Sequence, residues 1–174
     1  PDGPLGLDSI TLNPWMGIDT LDPFLGICAE HGRGVFVLVR TTNPGSALLQ
    51  HHGSPAAASV VARALNTAGQ ATLGPSGMSS VGAVVGASAG ADAAHMRAQM
   101  PAAWFLVPGV GAQGGAAEDA VAGARPDGLG CLVNSSRGVL FGPTEDADPA
   151  AAIRSRAKAH AERFALSSIN TELS

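Results

Sequence analysis

Short apolar runs separated by longer, alanine-rich stretches set the rhythm of this chain. Five runs stand out: Ser9 to Leu12, Val35 to Val39, Val81 to Val85, Trp104 to Val107 and Cys131 to Val133. They are largely apolar at successive positions, which suits strands of a parallel sheet covered on both faces. The stretches between them read as helices. Ser54 is a natural N-cap and Pro55 fits the first helical position, so the spacing predicts a helix through Ala68 with Gly69 as its stop. Val60, Val61, Ala64, Leu65 and Ala68 form its apolar stripe, which should face the sheet. A second helix is expected from Ala91 to Gln99, closed by Pro101, and a third from Asp148 and Pro149 to about Leu166. Asp22-Pro23 opens another helical segment, and Gly74-Pro-Ser-Gly77 reads as a loop. Strands alternating with helices, without internal repeats or linkers, imply one α/β domain built on a parallel sheet.

The chemistry gathers at two strand ends. Leu106-Val-Pro-Gly-Val-Gly-Ala-Gln-Gly-Gly115 breaks from strand into glycine, and Asn134-Ser-Ser-Arg-Gly138 follows the next strand directly. A phosphate needs donors converging from several directions. Glycines let backbone N–H groups approach closely, Gln113 adds an amide, and Arg137 adds a planar, charge-assisted fork. In parallel α/β proteins ligands sit at the carboxyl ends of the strands, where both loops lie.

Other readings of the same motifs are weaker. Gly109-Val-Gly-Ala-Gln-Gly114 has the dinucleotide-binding pattern, but the next strand ends in Asn134-Ser-Ser-Arg137 rather than the acidic residue that would hold a ribose. A glycine-rich turn without a ligand would leave Gln113 and Arg137 unexplained. Gly86-Ala-Ser-Ala-Gly90 matches the nucleophile elbow of acyl-transfer hydrolases, with only His95 and His160 as later bases, both on helices. His51-His52 and the Asp92/His95 pair lack the spacing of a metal site. Asn134-Ser-Ser136 matches the glycosylation pattern only formally.

Taken with Asp8-Ser-Ile-Thr-Leu-Asn-Pro14, Val35-Phe-Val-Leu-Val-Arg-Thr-Thr-Asn-Pro-Gly45 and Val81-Gly-Ala-Val-Val-Gly-Ala87, these loops resemble, in order and spacing, the longer bacterial branch of orotidine 5'-phosphate decarboxylases. The resemblance runs over nearly the whole chain and covers only the later part of that family's barrel. It implies an α/β fold, a partial TIM (β/α)8 barrel comprising about the last five β/α units. It further implies that Gln113 and Arg137 grip the substrate's 5'-phosphate, with a backbone N–H from Ser136. Thr42 would meet the pyrimidine ring, the alternative being a hydroxyl that caps the Thr41–Gly45 turn, and Pro108 and Val110 would form an apolar wall beside the ring. Arg40, at the same strand end, is either a second anion donor or half of a structural ion pair.

The implied activity is decarboxylation of orotidine 5'-phosphate to uridine 5'-phosphate (UMP) in pyrimidine biosynthesis, with no metal or organic cofactor and with a homodimer as the intact protein. The family's lysine and aspartate network, including an Asp-x-Lys-x-x-Asp motif, has no counterpart here. The sole lysine is Lys158, in the expected terminal helix. No catalytic residue is therefore assigned to this chain, which is expected to be inactive alone. A phosphosugar-handling barrel enzyme and a non-catalytic nucleotide-phosphate-binding module remain the competing readings.

Size and charge agree with this picture. The chain has 174 residues, whereas a complete barrel takes about 250, and a start at Pro1 suggests truncation. A net charge of −4 with ten basic residues argues against a nucleic-acid partner, which needs a clustered basic face. Arg154, Arg156, Lys158 and Arg163 are expected on the solvated face of the terminal helix. No apolar run reaches the ~18 residues of a membrane span. Cys28 and Cys131 have no redox or metal spacing and are expected to be ordinary core thiols in a cytoplasmic protein.

Overall fold

The computed structural model describes residues 6–110, 116–143 and 148–171. Five strands, β1 (Ser9–Leu12), β2 (Gly34–Arg40), β3 (Ser79–Val85), β4 (Ala103–Val107) and β5 (Cys131–Val133), form one sheet in the order β1-β2-β3-β4-β5. Every neighbouring pair is parallel. Parallel neighbours need crossovers, and each is helical. The first is α1 (Asp22–His31), the next α2 (Ser46–Gln50) and α3 (Ala57–Gly69), then α4 (Gly90–Gln99) and α5 (Ala117–Val121). After β5 come α6 (Ser136–Leu140) and α7 (Pro149–Thr171). The chain is thus five successive β/α units, laid out as part of a barrel wall.

Alternation along the strands decides which side chains meet the helices. Val35, Val37 and Val39 of β2, Val81, Ala83 and Val85 of β3, and Ala103, Phe105 and Val107 of β4 share one core with Leu65 of α3 and Met96 of α4. Phe105 is fully buried. The opposite face carries Phe36, Gly82 and Trp104 side by side. A Cβ on Gly82 would lie 2.7 Å from the Phe36 ring and 2.8 Å from the Trp104 carbonyl oxygen.

Burial on both faces holds only for β3, whereas β2 and β4 alternate buried with partly buried residues. β1 and β5 each have one neighbour, and their apolar residues are correspondingly open: Ile10 is 37% and Leu132 45% exposed. A five-stranded sheet that does not close leaves these edges uncovered.

The expected helix starting at Ser54 begins instead at Ala57, because residues 53–56 are still turning and the Ala57 N–H is taken by the His52 carbonyl at 2.9 Å. Its buried stripe is rotated accordingly. Ala58, Ala62 and Leu65 are buried, while Val60, expected inside, is half exposed. The helix at Asp22-Pro23 forms as expected, with Pro23 in its first turn, and ends at Gly32, whose φ of 61° is left-handed. The α4 and α7 spans also match expectation closely. Three helices of five residues each, α2, α5 and α6, had not been anticipated. Cys28 is buried, Cys131 is partly buried, and both thiols are free.

Candidate functional site

The loops after β2, β3, β4 and β5 are fastened to one another at the carboxyl edge of the sheet. The Gly86 N–H donates to the Arg40 carbonyl at 2.8 Å, Ala87 N–H to the Pro108 carbonyl at 2.9 Å, and Asn134 N–H to the Val107 carbonyl at 3.0 Å. Between the last two loops lies a cleft of about 130 Å³, bounded by Pro108, Gly109 and Val110 on one side and by Asn134 through Gly138 on the other. Sites for whole drug-sized ligands usually occupy ~300–1,000 Å³, so this cleft takes one small group of a ligand. Gly109 has a φ of 95°, a conformation that glycine adopts without penalty, and this lets the chain turn sharply after Pro108.

Pro108, Val110, Ser136 and Arg137 all line this cleft. Arg137 is exposed at the cleft and brings a planar fork of N–H donors to it. The Ser136 hydroxyl donates to Asn134 Oδ1 at 3.0 Å, bracing the strand-end turn. Val110 is only 3% exposed and belongs largely to the core. Gln113 lies outside the described residues. Thr42 stands at the same edge, its methyl group against Gly86 so closely that a Cβ on that glycine would collide with it, but it does not line the cleft.

Arg40 resolves in favour of a structural role. It is 7% exposed, its Nε donates to Asp92 Oδ2 at 2.8 Å, and one terminal nitrogen donates to Gln50 Oε1 at 2.8 Å. Gln50 then closes a small ring of bonds. Its Oε1 accepts from the Thr41 N–H at 3.0 Å, and its amide donates to Thr41 Oγ1 at 2.9 Å. His51 Nε2 also reaches Asp92 Oδ2, at 3.0 Å. Burial pushes the Asp92 carboxyl up, but the hydrogen bonds and charges of His51 and Arg40 outweigh it and hold the group below its ordinary value. Asp92 therefore meets groups distant in sequence rather than His95. His95 instead lies beside Ser59 and Gln99.

Gln50 and Asp92 were missed as supports of the strand end because their partners are 10 and 52 residues away from them along the chain, at Arg40. The local signal was only Asn43-Pro-Gly-Ser46, a turn before a short helix. Lys158 points outward on α7, 80% exposed, with Glu162 at 3.9 Å.

Five consecutive parallel β/α units with a cleft at the carboxyl ends of the strands define part of a (β/α)-barrel protein. The chain belongs to the orotidine 5'-phosphate decarboxylase / HUMPS family, whose model matches residues 2–155. An orotidine 5'-phosphate decarboxylase of Clostridium perfringens is 45% identical over 144 residues, covering 80% of this chain and 50% of that relative. One from Rhodopirellula baltica is 41% identical over 145 residues, covering 81% of this chain and 48% of that relative. The solved structure of Leishmania donovani OMP decarboxylase superposes with a TM-score of 0.67 at 35% identity, covering 92% of this chain and 58% of that one. The chain spans about half the length of the curated relatives it matches.

Proposed function

We propose that this chain supplies the phosphate- and pyrimidine-binding portion of an enzyme that converts orotidine 5'-phosphate to UMP in pyrimidine biosynthesis. The observation that carries the proposal is Arg137 lining a strand-end cleft in a chain 45% identical to a protein of that name. In this reaction the bond from the ring to its carboxylate breaks, carbon dioxide leaves, and the electron pair left on the ring carbon takes up a proton. No metal or organic cofactor enters the proposed reaction. Arg137, with the Ser136 backbone N–H and Gln113, holds the 5'-phosphate; Thr42, Pro108 and Val110 stand toward the base. Binding energy gathered at a phosphate remote from the reacting carbon can be used to align the ring and lower the barrel's catalytic barrier.

The cation that stabilises the ring carbanion is not assigned here, since the only lysine lies on the outer face of α7. This chain by itself is accordingly proposed to bind without turning over. The whole protein is proposed to be a cytoplasmic homodimer. Exposed Trp15, Met16, Leu48 and Leu49, which follow β1 and β2, support a protein-covered surface near that edge.

Titration calorimetry with UMP and with ribose 5-phosphate tests the reading. UMP should bind more tightly than ribose 5-phosphate, and Arg137→Ala should remove about 1.5–3 kcal/mol of the UMP binding energy. Equal affinity for the two ligands would favour a phosphosugar enzyme instead, and unchanged UMP binding in Arg137→Ala would remove that residue from the clamp.

A further inference from the structure

Helix α6 carries Ser136 and Arg137 into the cleft, yet it is five residues long and has no side-chain N-cap. A single turn of helix does not hold itself in water. Arg137 rides on this helix, so where its guanidinium lies follows how the α6 backbone is held.

That support comes from α7. Arg156 Nε donates to the Val139 carbonyl at 2.7 Å and one of its terminal nitrogens to the Leu140 carbonyl at 3.1 Å. These carbonyls end the short helix, and a guanidinium satisfies both while complementing their partial negative charge. One turn further along α7, His160 sits directly against Gly138. A Cβ there would lie 2.9 Å from His160 Nε2 and 2.8 Å from Ser135 Oγ, so the absence of a side chain sets how closely the two helices approach. The His160 ring is itself backed by Phe164, with ring centroids 6.2 Å apart. The remaining terminal nitrogen of Arg156 is buried without a partner among the described residues.

We propose that Arg156, with His160 one turn on, is a positioning residue for the anion site: it holds α6 by its last carbonyls and so sets where Arg137 points. The inference rests on Arg137 taking the ligand's phosphate. Both act through α6 and not by touching that ligand. The basic residues of α7 consequently divide: Arg154 and Lys158 are solvated as expected, whereas Arg156 turns inward against α6.

The test compares UMP and uridine binding, together with amide hydrogen exchange over residues 138–142, in the wild-type chain and in Arg156→Met, Arg156→Lys, His160→Ala and Arg137→Ala. Arg156→Met should weaken UMP binding about tenfold without changing uridine binding, and should speed exchange in α6. Arg156→Lys should recover part of both effects, since an ammonium reaches one carbonyl more readily than two. Should Arg156→Met fail to fold, His160→Ala and Arg156→Lys carry the comparison, each expected to lower the ratio of UMP to uridine affinity. A ratio unchanged from wild type in the folded Arg156 and His160 variants, with UMP binding lost in Arg137→Ala, overturns the inference alone. A wild-type chain that does not bind UMP overturns the proposed function and the inference with it, and an Arg137→Ala variant that binds UMP normally removes Arg137 from the clamp and overturns the inference.

Discussion

The guanidinium carbon of Arg97 lies 3.9 Å from the centroid of the Phe105 ring, stacking the end of α4 onto the most deeply buried aromatic of the sheet. From that position its nitrogens donate to the carbonyls of Met100 at 2.9 Å, Ala103 at 2.7 Å, Gly123 at 2.7 Å and Gly130 at 2.9 Å. One side chain thus ties the turn before β4 to the turn before β5. Burial pulls its pKa below the ordinary arginine value, with the nearby Cys131 opposing, and the group remains a cation.

Arg97→Lys keeps the charge and loses the fork, so several buried carbonyls lose their donor. Urea unfolding should show a loss of about 2 kcal/mol or more with an unchanged slope. A midpoint equal to wild type would mean that water replaces the guanidinium without cost.

Gly82 lies where β3 passes Phe36 and Trp104. A methyl group there meets the Phe36 ring, which can shift, and the Trp104 carbonyl, which is backbone and cannot shift far. Gly82→Ala should destabilise the fold by about 1–3 kcal/mol in thermal or urea unfolding. Stabilisation by the substitution would show that this face is looser than the sheet register implies.

The Asp92 carboxyl is held below its ordinary value even though burial alone pushes it up. A depressed carboxylate contributes stability that is present above its unfolded value and is lost as pH falls through the lower folded value. Wild type should therefore exceed Asp92→Asn in unfolding midpoint at neutral pH, and the gap should close as pH drops below the carboxylate range. A gap that stayed constant into strong acid would place the effect of Asn in packing rather than charge.

Burial raises the pKa of both thiols, at Cys131 against the opposing pull of Arg97. Thiolate is the reactive form, so native Cys28 and Cys131 should react with an aromatic disulfide reagent at least about tenfold slower than the urea-unfolded chain at the same pH. Native labelling as fast as in the unfolded chain would show that these regions open readily.

The five strands and the long helices were legible because each is a local pattern: an apolar run, a proline at a helix start, a repeat matched to the helical turn. The two glycine-edged loops were legible for the same reason, and they brought Pro108, Val110, Ser136 and Arg137 to one cleft. Short helices were not legible. Five residues hold too little periodicity to stand above the surrounding alanines and glycines, and such a helix forms only where its neighbours receive it, as Arg156 receives α6.

The start of α3 shows how a sound local rule can fail. Ser54-Pro55 satisfies the chemistry of a helix entrance, but the chain turns there and the stripe that packs on the sheet rotates from Val60 to Ala58 and Ala62. The order of β/α units and the residue types at the strand ends follow from local sequence, because both are written in contiguous segments. Tertiary structure alone decided that Arg40 pairs with Asp92, that Arg97 stacks on Phe105, and that Arg156 faces inward while Lys158 faces water. A cation's role depends on which carbonyls and carboxylates packing brings within about 3 Å of it, and those partners come from distant parts of the chain.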